Sequence, residues 1–504
     1  MAGNQGSPRG ASRPHIVMVT NHGIHEWEVR AGLPDTGGQN VYVNDLSATL
    51  ARLGFRVTIA NRGGYPHPVT GEMRTGVRER GGAVSTGTGG GRGSGTGTGG
   101  AWDSRPGPGG GNSRPRPRPG RERIVYLTDS SDAFVRKEDM GPHVEELGRG
   151  LADMLARDGG PIAAFVSHYW DGAMVAETAR RLGDAQRAAG GARPPHVWIP
   201  HSLGALKKQG SDPGEWESLR IEERIAAEHR ILGQVDQVAC TSSAMRTSLA
   251  ADYGHHSCLF LPPCVDTRRF DPAAARADRS AVALLAEATG CSEADVRRAR
   301  IITEVSRTDH TKRKDVLIRA FARVHAACPD TLLAVTIDAG REELYCELTG
   351  LIGELGLSGA VAVLGSVWEY VPSLYGMSAV YCTPSMMEGF GMSIQEAAAC
   401  GVPAVASSRV PFAVEYLRGE TTRHLFSAAD GSPVEAGEGA VIVAPESVEA
   451  TAEALILLLS DEALRREMGE RAHEITVPRF TWETATAQFL RESGIGLPDE
   501  ESAR

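Results

Sequence analysis

Two carboxylates, Glu388 and Glu396, flank a Gly389-Phe390-Gly391 turn in the stretch MMEGFGMSIQEAAACG. Spaced this way, they lack the clustering of a metal site. The preceding AVYCTPS reads as a strand and the residues after Gly391 as a helix, so glycine N–H groups lie at a helix N-terminus, an arrangement suited to phosphate. The alternative is local: Ser393 and Glu396 have capping-box spacing, and the second carboxylate then only caps its own helix.

A second pair follows the apolar strand RIITEVS. In SRTDHTKRKDVLIRAF, Arg307 offers a planar fork and Lys312 a point charge, a combination suited to a diphosphate that gains negative charge as a bond to it breaks. Arg313 and Lys314 read as a solvated basic run. Nearer the N-terminus, PDTGGQNVYVNDL places Gly37, Gly38 and Gln39 at the opening of a helix. It lacks the GxGxxG of a dinucleotide fold, which weighs against a dehydrogenase. Two more strand ends are polar, SHYWDG with His168 and Asp171, and IPHSLGALKK with His201 and Lys207. Several polar strand ends on one sheet edge predict a pocket.

These loops need strands to hold them. β-rich runs alternate with amphipathic helices along most of the 504 residues, a length that predicts two large domains. HIVMVT, RVTIAN, RIVYL, IAAFVSHY, HVWIPHS and QVACTS form the first series. RIITEVS, TLLAVTID, AVAVLG, AVYCTPS, PAVASS and GAVIVAP form the second. Near-continuous apolar strands joined by helices predict parallel sheets covered on both faces, that is, α/β with two doubly wound Rossmann-like domains facing across a cleft. The expected boundaries are 1–265 for the first domain, 266–298 for a helical connector, 299–480 for the second domain and 481–495 for a C-terminal helix. Residues 81–123, rich in Gly, Thr, Arg and Pro, are expected to be a disordered insertion, since they have little to bury. An RGG-like polyanion arm is the alternative there, opposed by the near absence of aromatics.

The formal charge of −10 gives no global attraction to nucleic acid, which is not expected as a partner. No apolar run is long enough to span a membrane. The eight cysteines, from Cys240 to Cys400, lie in apolar contexts without CxxC spacing, so reduced core cysteines and a cytoplasmic location are expected.

Taken together, R-x4-K-x2-D-x-L-I-x-A-F from Arg307, E-G-F-G-x4-E-A from Glu388, GGQ and HSLG resemble retaining GT-B glycosyltransferases of the GT4 type. DTGGQNVYV, FVRKEDMGPHVEEL, SHYWDG, HSLGALK and RIAAE resemble, within that family, bacterial sucrose-phosphate synthases. Trp170 and Ala173, in HYWDGA, depart from the usual HYGDGG.

The resemblance implies a nucleoside diphosphate sugar, with UDP-glucose the first expectation, and a sugar-phosphate acceptor, with fructose 6-phosphate first. It gives catalytic roles to Arg307, Lys312, Glu388 and His201. Donor contacts fall to Gly38, Gly389, Phe390, Gly391 and Glu396, the last on the ribose. Acceptor contacts fall to Gly37, Gln39, Lys137, Tyr169, Asp171, Lys207 and Arg224. No DxD motif occurs, so neither a metal nor another cofactor is expected. The C-terminal helix is expected to cross back to the first domain, and a separate phosphatase to act on the product. A different GT4 donor or acceptor, as in a mannosylfructose-phosphate synthase or a glycolipid enzyme, is the alternative.

Overall fold

The computed structural model describes residues 13–29, 33–81, 121–186, 192–209 and 211–498. Two eight-stranded sheets organise it. The first is built from β1 (His15–Val19), β2 (Arg56–Arg62), β3 (Gly76–Glu79), β4 (Glu122–Leu127), β5 (Ile162–His168), β6 (His196–Ile199), β7 (Gln237–Cys240) and β8 (Leu259–Phe260). Its spatial order is β3-β4-β2-β1-β5-β6-β7-β8, parallel except for β3.

The second comprises β9 (Arg300–Glu304), β10 (Thr331–Thr336), β11 (Val361–Leu364), β12 (Ser378–Thr383), β13 (Ala404–Ser407), β14 (His424–Ser427), β15 (Pro433–Ala436) and β16 (Ala440–Val443). The order is β11-β10-β9-β12-β13-β16-β15-β14, with β15 antiparallel to both its neighbours and β14 at the edge.

Each sheet reverses its winding direction once. The chain moves outward from β1 through β2 to β4 and then restarts on the other side of β1 with β5. It does the same from β9 to β11 before restarting with β12. Crevices open at such switch points, beyond the carboxyl ends of the strands. The strands there are apolar and fully covered: Ile16, Val17, Met18 and Val19 have no exposed surface.

The connector contains three short helices, Pro272–Ala277, Ala281–Thr289 and Glu293–Arg298. Their apolar residues Ala275, Val282, Leu285 and Val296 are buried in the same cluster as the second sheet. The helix Trp482–Ser493 instead buries Trp482, Phe489 and Leu490 with β1, β2 and the helix Gly38–Arg52. Arg52 reaches Glu483 of that helix at 2.9 Å. The two sheets are also tied at the crossover by Gln395, whose amide donates to Pro263 O at 2.9 Å.

The expected insertion ends earlier than residue 123. Glu122 and Arg123 belong to β4, where Ser47 donates to Glu122 at 2.7 Å and Arg123 to Thr58 at 2.9 Å. Residues 82–120, on which the disorder and polyanion expectations fall, lie outside the described residues. Among the described residues no helix is long and apolar enough to cross a membrane.

Candidate functional site

At the first switch point, the loop after β1 meets the turn after β5. The His22 backbone N–H donates to Asp171 Oδ2 at 3.1 Å, and its Nδ1 lies 2.9 Å from Oδ1. Asp171 is wholly buried, so it orients His22 and has no free face for a ligand. Gln39 donates to Thr20 Oγ1 at 3.1 Å at the mouth of the crevice. Gly37 caps the helix Gly38–Arg52, and Gly38 faces the second domain, where a Cβ would stand 3.4 Å from Met392 Sδ.

His201 follows β6 in a left-handed conformation, φ +57°. Strain of this kind persists where the surroundings over-determine it, commonly at functional sites. Here His168 Nδ1 lies 2.8 Å from His201 Nε2, the two rings stack at 5.1 Å, and Tyr42 meets His201 edge-on at 4.8 Å. Burial, with a smaller push from His22, drives the His201 pKa down to about 3, so the imidazole is neutral at working pH.

A cavity of about 670 Å³ opens beside this crevice. Lys137, Lys207 and Arg220 line it together with Glu138, Tyr169 and Trp170. Lys137 Nζ pairs with Asp35, and both Lys137 and Lys207 approach Glu138 Oε1 at 3.5 Å. Burial opposes charge on both lysines. Asp35 outweighs it at Lys137, which is held above the usual lysine range, whereas Lys207 falls below, pushed further by Lys137 and Arg224. An incoming phosphate therefore finds cations partly neutralised by two carboxylates it has to displace.

Arg224 also lines this cavity, where its side chain is already held by protein partners. It is 5 % exposed, and its guanidinium is already engaged by Glu228 at 2.9 Å, the Tyr169 hydroxyl and Ser202 O at 2.7 Å. Its charge also sits over the Tyr169 ring, 4.3 Å from the centroid. Arg224 thus fixes Tyr169, itself buried and at φ +65°, from behind. The more accessible guanidinium is that of Arg220, which sequence reading missed. Asp35, Glu138 and His22 were missed as well. Each of these three had a sequence signal: Asp35 opens DTGGQ, Glu138 follows Lys137, and His22 follows the first strand.

At the second switch point, Lys312 Nζ lies 2.6 Å from Glu388 Oε1 and 3.4 Å from Met387 O. The loops after β9 and β12 are also stitched together by Met386 N–H donating to Thr311 O at 2.7 Å. Arg307 points into solvent with its side chain 78 % exposed and its guanidinium 3.8 Å from Asp309. Lys314 is not solvated as expected. It is buried against Glu304, and also donates to Ser306 Oγ at 3.0 Å, which pins the loop that carries Arg307. Arg313 is paired with Asp315 and Glu446.

Glu388 is half-buried and Gly389 exposed, at the open side of the turn. Gly391 takes φ +104°, and a Cβ there would lie 2.9 Å from Val410 Cγ1, so the position is closed to other residues. The Phe390 ring turns away from the turn, buried 5.4 Å from the Phe412 ring and 6.2 Å from Phe480, and offers a ligand only its backbone. The capping alternative is not realised: Gly391 is the helix N-cap, and Ser393 Oγ accepts from Tyr381 OH at 2.7 Å. Glu396 instead faces Tyr375 OH at 3.4 Å. Burial raises its pKa to about 7, with Arg269 pulling it down and Asp45 pushing it up.

Residues 293–475 match the family model described as Glycosyl transferases group 1, and residues 37–263 match the Glycosyl transferase 4-like domain. The chain is 24 % identical over 409 residues to mannosylfructose-phosphate synthase of Agrobacterium fabrum, covering 78 % of this chain and 76 % of that one. It is 27 % identical to a D-inositol 3-phosphate glycosyltransferase of Corynebacterium urealyticum, over 93 % of both. Sucrose-phosphate synthase from Thermosynechococcus elongatus superposes with a TM-score of 0.66 at 22 % identity, covering 95 % of this chain and 98 % of that one.

Proposed function

We propose that this chain, a glycosyltransferase of the GT4 type with the two-sheet GT-B fold, moves a hexosyl group from a nucleoside diphosphate sugar to a hydroxyl of a sugar phosphate. The observation that carries this reading is the cavity in which Lys137, Lys207 and Arg220 converge within the first domain, beside the His201 crevice. With Arg224 and Arg230, five cationic side chains against Glu138 and Glu223 line this pocket of about 670 Å³, which suits a small phosphorylated polyol. The names of the three relatives point the same way, since each contains a phosphorylated sugar or cyclitol.

In this scheme Glu388 and the neutral His201 hold the donor sugar, the Gly389–Gly391 backbone approaches the diphosphate, and Glu396 accepts from the ribose hydroxyls. Lys312, released from Glu388 once the sugar engages that carboxylate, stabilises the departing diphosphate together with Arg307. Two basic side chains then take the place of a metal, and turnover persists in EDTA. Configuration is retained by front-face attack, in which the leaving diphosphate helps to deprotonate the incoming hydroxyl. Catalysis rests on positioning and electrostatics. UDP-glucose and fructose 6-phosphate are the preferred pair, the product passes to a separate phosphatase, and the eight free thiols support a reducing, cytoplasmic setting.

The test is release of nucleoside diphosphate from UDP-, ADP- and GDP-sugars with fructose 6-phosphate, inositol 3-phosphate, fructose or no acceptor. Turnover that requires a phosphorylated acceptor supports the reading and names the pair. Equal turnover with fructose overturns the assignment of the cationic cavity.

A further inference from the structure

Cys240 ends β7, and Cys258 precedes β8. The parallel register pairs Ala239 with Leu259 and Cys240 with Phe260, so Cys258, two residues before Phe260, projects on the same face as Cys240. The two sulfurs are 2.7 Å apart and both are free thiols. They differ in access: Cys240 has no exposed surface, whereas Cys258 is half-buried and reachable from solvent. Between them in sequence runs the helix Ser243–Tyr253. Its Arg246 lies over the Phe260 ring, 5.5 Å from the centroid. Burial raises the Cys240 pKa, and the Arg246 charge pulls it back.

We propose that Cys240 and Cys258 form a reversible thiol–disulfide couple, a modification site whose oxidant is a small-molecule disulfide. The Cys258 thiolate attacks one sulfur of the reagent and expels the other as a thiolate, leaving a mixed disulfide on Cys258. Cys240 then loses its proton to water and attacks Cys258 Sγ, expelling the second reagent thiolate. The two protein thiols give up two electrons and two protons, and the reagent disulfide becomes two thiols. Attack begins at the exposed sulfur because the thiolate is the nucleophile and needs access. Since the sulfurs already touch, closure requires little backbone movement.

The bond would tether both ends of the segment that holds the helix Ser243–Tyr253. That helix meets the second domain directly: the Ser243 hydroxyl donates to Glu415. Oxidation would therefore fix one side of the contact between the two domains without touching the donor or acceptor residues.

The experiment treats the full-length protein with oxidised glutathione, quenches it in denaturant with N-ethylmaleimide, and maps the peptides by mass. The expected result is a Cys240–Cys258 linked peptide, three fewer alkylated thiols than the eight found after dithiothreitol, two in the disulfide and one at glutathionylated Cys346, and a rise in Tm that dithiothreitol reverses. Cys346, which is exposed, serves as a control: Cys346→Ser removes its glutathione adduct and leaves the linked peptide intact. In Cys240→Ser the reaction stops at a glutathione adduct on Cys258, and the Tm rise disappears. Recovery of Cys240 as the alkylated thiol in treated wild type, with Cys258 alkylated or only glutathionylated, overturns the proposal. The same readout applied to Cys258→Ser keeps the test decisive if Cys240→Ser does not fold.

Discussion

Lys137 and Lys312 have the same chemistry and sit in opposite halves of the site, so their removal separates acceptor from donor. Lys137 is held by Asp35 and Glu138 in the acceptor cavity. Losing a charge-assisted hydrogen bond there costs about 1.5–3 kcal/mol, so Lys137→Ala is expected to raise KM for a phosphorylated acceptor roughly 10- to 100-fold. Rates with an unphosphorylated acceptor stay unchanged, and steady-state kinetics with paired acceptors check this. Lys312→Ala acts on the leaving group instead, and kcat is expected to fall about 10²- to 10³-fold with every acceptor. Glu396 gives a third residue-level signature. Its carboxyl is raised by burial to about 7, so lowering the pH through that value neutralises the ribose acceptor, and donor KM rises on the acid side. Glu396→Gln removes the inflection. The linked stability runs in the opposite direction: the folded state binds the extra proton between the ordinary carboxyl range and about 7, so this group's contribution declines as pH rises through that window. Thermal melts of wild type and Glu396→Gln at pH 5 and 8 should therefore converge at the acid end and separate at the basic end.

The turn that carries Glu388 depends on a single glycine. At φ +104°, Gly391 starts the helix Met392–Ala399 and brings the chain within van der Waals distance of Val410 and Ile394. Gly391→Ala combines a left-handed strain with a Cβ clash, and is expected to cost about 1–3 kcal/mol in urea unfolding while displacing Glu388. This element was legible in sequence because it follows a continuous apolar strand, and the same rule located Arg307, Lys312, His201 and the Gly37-Gly38 turn. The twelve central strands were legible for that reason too. β3, β8, β14 and β15 were not: each is at most four residues long; β3, β8 and β14 are edge strands with half-buried or exposed side chains, and β15, between β16 and β14, buries only Val434 and Ala436, too short an alternation to mark a strand. The acceptor cavity was only half readable. Arg220 enters it through a left-handed turn ahead of the helix Ile221–Leu232, which no periodicity announces. Arg224 fits a helical face in sequence, but its saturation by Tyr169, Ser202 and Glu228 exists only once three segments have packed together.

At the scale of the molecule, the C-terminal helix connects stability to chemistry through a line of rings. Trp482, 1 % exposed, meets Tyr42 edge-on at 4.9 Å, and Tyr42 meets His201 at 4.8 Å. The Tyr42 hydroxyl also donates to Leu261 O at 2.9 Å, at the start of the crossover between domains. The last helix therefore closes the first core and backs the strained imidazole that faces the donor side. Trp482→Ala empties a large buried volume, and a loss of about 3–5 kcal/mol of stability is expected in urea unfolding. If packing were its only role, Phe489→Ala, from the same helix and equally buried but outside this stack, would match it in every respect. The ring line predicts a difference. With both variants assayed at a temperature where each is folded, Trp482→Ala loses kcat because Tyr42 no longer holds His201 at φ +57°, while Phe489→Ala keeps the wild-type kcat despite a comparable loss of stability. Equal kcat in the two variants would mean that the rings behind His201 contribute to the core alone.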